Sequence, residues 1–427
     1  MQKYDEMVDS GVQWVGTVPR EWSIVRPKTI FADRKEKSRT DYVHLTPSQK
    51  YSVLPQTEYM KLSGGRVVLN LTGSDDMKHV EEGDFVIHLR SFQGGIEYSA
   101  YTGKVSNAYT VLTPAEHMNK DFFRHVLKSH GFISELASKT DQLRDGQSIK
   151  YSTFCLVSMP LPDYATQQKV ADFLDTETAK IDNLIAKQER LLQLLEEKRR
   201  ATITHAVTRG LDPDVELKET NIPWLGKIPA HWNVKRLKDI FTANDEALGQ
   251  KTDPEFEFKY VDISSVDKYR GITNREMMTF ESAPSRARRI VQKGDIIIGA
   301  VRTYLEAIAQ ISEEDQNVIA STGFVVLRPK TTKDSDFYSF ALRSSIFMAS
   351  VVASSDGVSY PAINADKLMS LLIAVPNPEE RHMIAGHCKK EMKQMDELKK
   401  KIQTQITLLR ERRTSLISHT VTGKIKV

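Results

Sequence analysis

The feature that most constrains this chain of 427 residues is a repeat whose period is close to 210 residues. Residues 9–31 recur as residues 219–241, with identical pairs that include Trp14/Trp224, Gly16/Gly226, Pro19/Pro229, Trp22/Trp232, Ile30/Ile240 and Phe31/Phe241. Solenoid and propeller repeats have much shorter periods, of about 20 to 50 residues. The sequence therefore predicts a duplication of one large unit.

Further matches follow in the same order along both halves. They are EEGDFVI (81–87) with QKGDIII (292–298), residues 145–148 with 356–359, and residues 163–210 with 377–424. Each Gly-Asp pair precedes an apolar, β-branched run, which is typical of a turn that leads into a strand. Residues 32–80 and 242–291 do not align. The halves are thus expected to share a frame and to differ in detail.

The last matched segments have the pattern of two helices of unusual length. Asn377, followed by Pro378 and by Glu380, is typical of a capped helix start with a capping box, and Asp163 holds the equivalent position. Apolar residues three and four apart form a narrow seam: Ile181, Leu184, Leu192, Leu195, Met395, Leu398, Ile402, Ile406 and Leu409. This is the coiled-coil pattern, so each seam needs a partner. Antiparallel pairing of the two helices is expected, with a dimer of two chains as the alternative.

The predicted fold class is α/β of the mixed α+β kind: two globular domains related by internal duplication and joined by two long helices that form an antiparallel coiled coil. The expected boundaries are a first domain at 1–162, the first long helix at 163–209, a linker and second domain at 210–376, and the second long helix at 377–427.

Composition narrows the class of protein but does not identify a partner. The formal net charge is +4, a bias too small to prove a polyanionic ligand. The first ten residues lack a basic segment followed by an apolar core, and no apolar run is long enough to span a bilayer, so we expect a cytoplasmic protein without membrane contact. Cys155 and Cys388 are too few for a disulfide framework and are predicted to be buried or half-buried thiols.

Motifs of the common catalytic sites are missing from the sequence. It has no Gly-rich phosphate loop, no G-x-S-x-G turn and no H-E-x-x-H helix. Asp214, Glu216 and Lys218 imitate a metal-dependent nuclease site, but they crowd into one short linker. The spacing of His382, His387 and Cys388 does not place three ligands on one helical face. We therefore expect no catalytic residue, no metal and no cofactor in this chain.

Polar and basic loops follow the Gly-Asp strands at matched places in both halves. Arg and Gln suit bidentate hydrogen bonds to base edges, and Ser or Thr can reach bases or phosphates. The candidate DNA-binding residues are Arg90, Ser91, Gln93, Lys104, Ser106, Gln147, Ser148, Lys150, Arg286, Arg288, Arg289, Arg302, Thr303, Tyr304, Ser321, Thr322, Ser359 and Tyr360. The four tryptophans could stack on bases, but their spacing favours a packed brace at the start of each half.

Together these motifs resemble the specificity subunit of type I restriction-modification enzymes. The resemblance rests on the duplicated W-x-G-x-x-P-x-x-W start, the Gly-Asp strand, the Asp-Gly-x-Ser turn, the long capped helix and its closing His-x-Val-Thr segment. It implies two target recognition domains, each reading half of a split asymmetric site in double-stranded DNA, and helices that set the gap and dock two modification (methyltransferase) subunits. It also implies restriction (endonuclease and translocase) subunits, with S-adenosylmethionine, ATP and Mg belonging to these partners.

One departure from the repeat concerns the helix starts, because Ala165 and Thr166 align with Glu379 and Glu380. The two docking surfaces are therefore not expected to be identical. The alternatives are a non-catalytic coiled-coil adaptor, which would need no base-reading loops, and a nuclease that cleaves alone with a divalent metal.

Overall fold

The computed structural model describes residues 4–65, 77–88, 95–139, 149–268, 270–312, 315 and 317–427. The chain divides into two compact units, each of which is described by itself. The first unit comprises Met1–Glu189 and Gln403–Val427, and the second comprises Arg190–Ile402. Among the described residues, no helix combines the length and apolar character needed to cross a membrane.

The first unit is a mixed helix and strand structure. Its strands are β1 (Met7–Asp9), β2 (Thr17–Pro19), β3 (Ser23–Val25), β4 (Phe31–Asp33), β5 (Leu45–Ser48), β6 (Ser52–Pro55), β7 (Lys78–Val80), β8 (Phe85–Ile87), β9 (Ile96–Tyr98), β10 (Gly103–Val105), β11 (Thr110–Pro114) and β12 (Met159–Leu161). Its helices are α1 (Gln56–Ser63), α2 (Lys120–Leu127), α3 (His130–Ser138), α4 (Tyr151–Phe154) and the start of α5 (Tyr164–Arg209).

A four-stranded antiparallel sheet with the order β4-β11-β8-β9 organises the first core. The ring of Phe31, in the edge strand β4, contacts three other aromatic rings, with centroids 5.9 Å from Phe85, 5.2 Å from Phe123 and 5.7 Å from Phe154. All three contacts are edge-on, the geometry that aromatic pairs prefer. The helices are therefore fixed to the sheet by one aromatic cluster.

The second unit contains more strands. They are β13 (Leu217–Glu219), β14 (Lys227–Pro229), β15 (Asn233–Arg236), β16 (Phe241–Ala243), β17 (Glu257–Val261), β18 (Val266–Asp267), β19 (Gly271–Ile272), β20 (Glu276–Thr279), β21 (Ala287–Ile290), β22 (Ile296–Gly299), β23 (Ile308–Gln310), β24 (Val318–Ser321), β25 (Phe324–Pro329) and β26 (Leu372–Val375). The helices are α6 (Leu237–Ile240), α7 (Ser335–Arg343), α8 (Ser345–Ala353), α9 (Ala365–Met369) and α10 (Pro378–Val421), which ends in the first unit.

Two four-stranded sheets form the body of the second unit. One has the order β16-β25-β22-β23, and its register pairs Phe241 with Pro329, as the first unit pairs Phe31 with Pro114. The other has the order β20-β17-β24-β21, in which β17 and β24 run parallel. Strand β22 is buried along its whole length, as expected for a strand covered on both faces.

The Gly-Asp motif that precedes β8 is a buried turn. Gly83 has φ +98, a conformation that glycine adopts without steric cost. The buried Asp84 carboxylate accepts the Glu81 N–H at 2.8 Å and the Arg34 Nε–H at 2.7 Å. In the second unit Asp295 accepts the Gln292 N–H at 2.8 Å. Both turns are therefore held by a buried aspartate.

The tryptophan segments pack as braces, which confirms their structural interpretation. Trp22 and Trp232 are buried. The indole N–H of Trp14 donates to the Ser158 carbonyl at 2.9 Å, and that of Trp232 donates to Glu380 at 2.9 Å. Because Trp22 and Trp232 are buried, their ring faces are not available to nucleic-acid bases, and the bonded N–H groups fix Trp14 and Trp232 inside their units.

The helix caps are confirmed at both predicted sites, but the capping box is wrong. Asp163 accepts the Thr166 N–H and Asn377 accepts the Glu380 N–H, each at 2.9 Å. The Glu380 carboxylate does not return to the helix start, because it binds the indole of Trp232 and lies 2.8 Å from His231 Nε2.

Segments of α5 and α10 run antiparallel within each unit. In the first unit Asp182 binds Arg413 at 2.8 Å and Glu189 binds Arg410 at 3.0 Å, so the numbers rise on one helix as they fall on the other. In the second unit the ion pairs are Glu196 with Lys399 and Arg199 with Asp396, both at 2.6 Å.

The seam between these segments differs from the predicted one at two places. Ile181, Leu195, Met395, Ile402 and Ile406 are buried, and Leu192 and Leu409 are partly buried. Leu184 and Leu398 are exposed, so their assignment to the seam is wrong. The neighbouring Ile185 and Lys399 are the partly buried residues there, because the 3.6-residue turn brings the next position to the interface.

Candidate nucleic-acid interface

Three loops of the second unit meet at Ala300, which directly follows β22. Its N–H donates to the Gly323 carbonyl, and its own carbonyl accepts the Ile363 N–H, both at 2.8 Å. The loop after β22, the turn between β24 and β25, and the segment between α8 and α9 are thereby held together. Loops fixed on a rigid sheet are a common setting for binding residues.

Arg302 projects from the first of these loops and is exposed. Its guanidinium carbon lies 5.2 Å from the ring centroid of Tyr360, which is 68% exposed. This distance is within the range of a cation–π contact. Ser359 and Tyr304 are also exposed beside them in sequence. The structure therefore brings Arg302 and Tyr360, which are far apart in the chain, to one surface.

The backbone of this loop has an unusual conformation. Arg302 has φ 52 and ψ 51, and Glu306 has φ 51 and ψ 36, so a single helical turn at Thr303–Leu305 lies between two left-handed residues. A side chain in this region costs roughly 1 to 2 kcal/mol per residue. Such strain is concentrated at functional sites, where surrounding contacts hold it in place.

Two predicted contact residues of the second unit are buried instead. The hydroxyls of Thr303 and Ser355 share a hydrogen bond of 2.8 Å, and Ser321 accepts the Gly323 N–H at 3.2 Å. Thr303 and Ser321 are each 2% exposed. They brace the loops from inside, so the prediction that they contact DNA is not supported.

The three arginines of the basic run at 286–289 have different surroundings, because a β-bulge interrupts the strand there. Arg286 is exposed, and its carbonyl accepts the N–H of exposed Thr322 at 2.8 Å. The register irregularity lies between Ala287 and Arg289, and the Arg288 guanidinium lies 4.5 Å from the Phe280 ring centroid. Arg289 is half-buried, with its Nε buried. Of the three arginines, Arg286 is therefore the one that joins the surface formed by the loops.

In the first unit only three of the candidate residues lie within the described residues. Arg90, Ser91, Gln93, Gln147 and Ser148 lie outside them. Lys104 is 3% exposed, and its ammonium donates to the Thr40 carbonyl at 2.8 Å, so its predicted contact with DNA is not supported. Ser106 is half-buried and accepts the Ala108 N–H at 3.3 Å, while Lys150 is exposed at the start of α4.

Exposed apolar side chains near Arg302 or Tyr360 in the sequence are a feature that the sequence analysis did not predict. Val301, Leu305 and Val358 are 41%, 43% and 100% exposed. Apolar side chains can contact the methyl group of thymine in the major groove. The sequence does show apolar residues within these polar loops. They were not among the candidates because only polar and basic residues were considered for contact with DNA.

The residues considered for metal or nuclease chemistry have other surroundings. Across the described parts of the chain, no three His, Cys, Asp or Glu side chains come together in a group that could hold a metal ion. Cys388 is fully buried, and burial raises the pKa of its thiol to about 12. The Lys218 ammonium donates to the Ala230 carbonyl at 2.6 Å. Neither side chain is presented as a reactive group.

Comparison with known proteins gives a consistent set of matches. Residues 229–408 match the family model described as type I restriction modification DNA specificity domain. The type I restriction enzyme EcoBI specificity subunit of Escherichia coli is 24% identical over 321 residues, which are 72% of this chain and 66% of that protein. The EcoKI specificity subunit of Escherichia coli strain K12 is 22% identical over 74% of this chain and 68% of that protein.

Two solved structures share the fold at 13% identity. A chain described under "Structural basis underlying complex assembly and conformational transition of the type I R-M system" has a TM-score of 0.72, covering 96% of this chain and 99% of its own. The HsdS subunit from Thermoanaerobacter tengcongensis has a TM-score of 0.55, covering 96% of this chain and 98% of its own.

Proposed function

We propose that this chain, a member of the type I restriction-modification specificity-subunit family, is the sequence-specific DNA-binding subunit of such a system. The observation that carries the proposal is the surface of three joined loops in the second unit, where Arg302 and Tyr360 are exposed together. This surface lies within the residues that match the specificity domain.

The chemistry of these side chains suits recognition of a base pair. A guanidinium can donate two hydrogen bonds to guanine in the major groove, and the exposed ring of Tyr360 limits the directions that Arg302 can take. Arg286 and Thr322 extend the same surface with a cation and a hydroxyl, which suit phosphate contacts. In this proposal Arg302 specifies sequence, and Arg286 positions the duplex.

We extend the proposal to the first unit, so that each unit reads one half of a split, asymmetric site. The sheet order is the same in both units, β4-β11-β8-β9 and β16-β25-β22-β23, which supports an origin by duplication. The second unit also carries the sheet β20-β17-β24-β21, for which the described part of the first unit has no four-stranded counterpart. Because the two units share one sheet but differ in the strands around it, we expect them to read two different half-sites.

The two long helices are proposed to form an antiparallel coiled coil that sets the gap between half-sites and docks two modification subunits. The ion pairs between α5 and α10 support the pairing. Several large apolar side chains of these helices are exposed: Leu184, Leu191, Leu194, Met383, Leu398 and Leu408. Exposed apolar rows on helices suit docking of a partner helix. Catalysis, with its S-adenosylmethionine, ATP and Mg, is assigned to the modification and restriction partners.

The experiment that tests this function is a methylation map. DNA from cells that carry this chain with its modification partner is sequenced for modified adenines, beside cells that carry the partner alone. We expect one split site with two unlike halves and a fixed gap, present only when this chain is present. A continuous site, a perfect palindrome or methylation without this chain would contradict the proposal, and the last result would favour an adaptor.

A further inference from the structure

A cavity of about 460 Å³ lies within the second unit, between the unit's segments of α5 and α10 and the body formed by α7, α8 and β23. Its apolar wall includes Ile203, Ile308, Phe340 and Met392. Pockets that hold small molecules are usually about 300 to 1,000 Å³ and combine apolar walls with a few polar groups. The cavity therefore has the size of a small-molecule site, and its lining combines this apolar wall with a larger number of polar and charged residues.

The charges around this cavity are unbalanced. The described residues that line it include seven basic side chains and three carboxylates. Three of the cations have acidic partners: Arg199 with Asp396, Lys268 with Glu306, and Lys389 with Asp336. Within the described residues, Arg343 and Lys393 have no carboxylate at ion-pair distance. Lys393 is exposed to solvent, whereas Arg343 is partly buried. A partly buried charge without a counter-ion is costly, so the cavity favours an anion beside Arg343.

Arg343 is the residue that most needs such an anion. It is the last residue of α7, it is partly buried, and its Nε is buried without a hydrogen-bond partner among the described residues. Burial, reinforced by the positive charge of Arg199, lowers the pKa of Arg343 to about 10. Arg343 lies in the last turn of its helix, where a positive charge interacts favourably with the helix dipole. That interaction does not supply a hydrogen-bond acceptor for the buried Nε–H group.

We propose that this cavity binds an organic phosphate of nucleotide size, with the phosphates on Arg343 and Lys393 and the organic group on the apolar wall. A polyphosphate fits better than a single carboxylate, because its phosphate groups can contact Arg343 and Lys393 at the same time and can accept two N–H groups of the guanidinium. The volume favours a ligand larger than inorganic phosphate. The proposal stands independently of DNA reading, since it uses none of the residues of the loop surface.

Calorimetric titration of the full-length chain with ADP and with pyrophosphate tests the proposal. We expect both to bind, with ADP tighter, and inorganic phosphate to bind weakest. The variant Arg343→Gln should bind ADP at least roughly ten-fold more weakly, because a charged hydrogen-bond donor is removed. Lys393→Gln is the second variant, for which we expect a loss of about three-fold or more. Lys393 is exposed, so this change leaves the fold intact.

The matched control is Arg412→Gln, which removes the same charge from an exposed arginine of the first unit. It should bind ADP like the parent. A thermal melt without ligand adds a second readout: Arg343→Gln should melt no lower than the parent, because an unpaired charge is removed, and it should lose the rise in melting temperature caused by ADP.

Four results would overturn the proposal. They are no binding of ADP or pyrophosphate by the parent at about 1 mM, equal losses in Arg343→Gln and Arg412→Gln, phosphate binding as tightly as ADP, and displacement of ADP by random-sequence duplex DNA. The last result would reassign the cavity to the DNA backbone. A failed methylation map leaves these outcomes unchanged, so the two proposals fail separately.

Discussion

Replacing Arg302 with glycine and with alanine separates the DNA contact of this residue from its role in folding. Both variants remove the guanidinium, which stacks on Tyr360 at 5.2 Å and is exposed to solvent. A bidentate contact with a base contributes about 1 to 3 kcal/mol of discrimination. We therefore expect each variant to bind its cognate duplex about 5-fold to 150-fold more weakly, while affinity for random duplex changes little.

The two variants should differ in stability, because Arg302 has φ 52. Glycine relieves roughly 1 to 2 kcal/mol of left-handed strain, but it adds about 0.5 to 1 kcal/mol of unfolded-state entropy and loses about 0.5 to 1 kcal/mol of cation–π contact. Its net effect on the free energy of unfolding is therefore near zero. Alanine keeps the strain and loses the contact, so it should destabilise the second unit by about 0.5 to 1 kcal/mol.

The assay is fluorescence anisotropy with the methylation-mapped duplex and a scrambled duplex, at several salt concentrations, beside urea unfolding of each variant. Asn221→Gly is the matched control, since Asn221 is also exposed, has φ 59 and lies outside the loop surface. It should leave DNA affinity unchanged. Equal losses on both duplexes, with a salt slope reduced by about 1, would refute base reading and make Arg302 a phosphate contact.

Two further predictions concern the buried turn and the helices. Asp295→Ala should lower the free energy of unfolding of the second unit by about 3 kcal/mol, measured by urea unfolding, because the Arg328 guanidinium loses its buried partner and keeps only the more exposed Glu246. The exposed Asp214→Ala is the control, and an equal effect of both changes would contradict this account. Inserting seven residues between Glu189 and Arg190 and seven between Ile402 and Gln403, where the two units divide, keeps the seam in phase and adds about 10.5 Å, so the gap in the methylation map should lengthen by about three base pairs. A fixed gap in an active variant, or altered half-site letters, would show that the helices are not the spacer.

Features governed by local sequence were predictable. Caps depend on a few neighbouring residues, and Asp163 and Asn377 cap their helices as the sequence indicates. The register of the seam was less predictable, since Leu398 is the more apolar choice and yet Lys399 takes the interface position, with its ammonium on Glu196. A long lysine stem can cover apolar surface while its charge finds a partner, which residue type alone does not reveal.

The candidate DNA-contacting residues were predicted from residue type alone, and the structure shows that some of them are exposed and others are buried. Arg302 and Tyr360 share one surface because three loops meet at Ala300. This is a tertiary contact, which the sequence repeat does not specify. Lys104 was chosen on the same grounds, but it lies in β10 and donates to a backbone carbonyl inside the unit. All three residues of β10 are buried, so both faces of this strand are covered and residue type alone does not reveal that its lysine is inside the unit.

The buried aspartates show why the two halves share more structure than alignable sequence. Asp84 and Asp295 occupy matched positions, and each is bound through two oxygens by one arginine. Arg34 directly follows β4, whereas Arg328 lies in β25, the neighbouring strand of the equivalent sheet. The cation that pairs with the buried carboxylate comes from the residue after β4, two strands away from β8, in the first unit, and from β25, the strand next to β22, in the second unit. Matching the halves residue by residue therefore finds the aspartates and misses their partners, although the folded contact is the same.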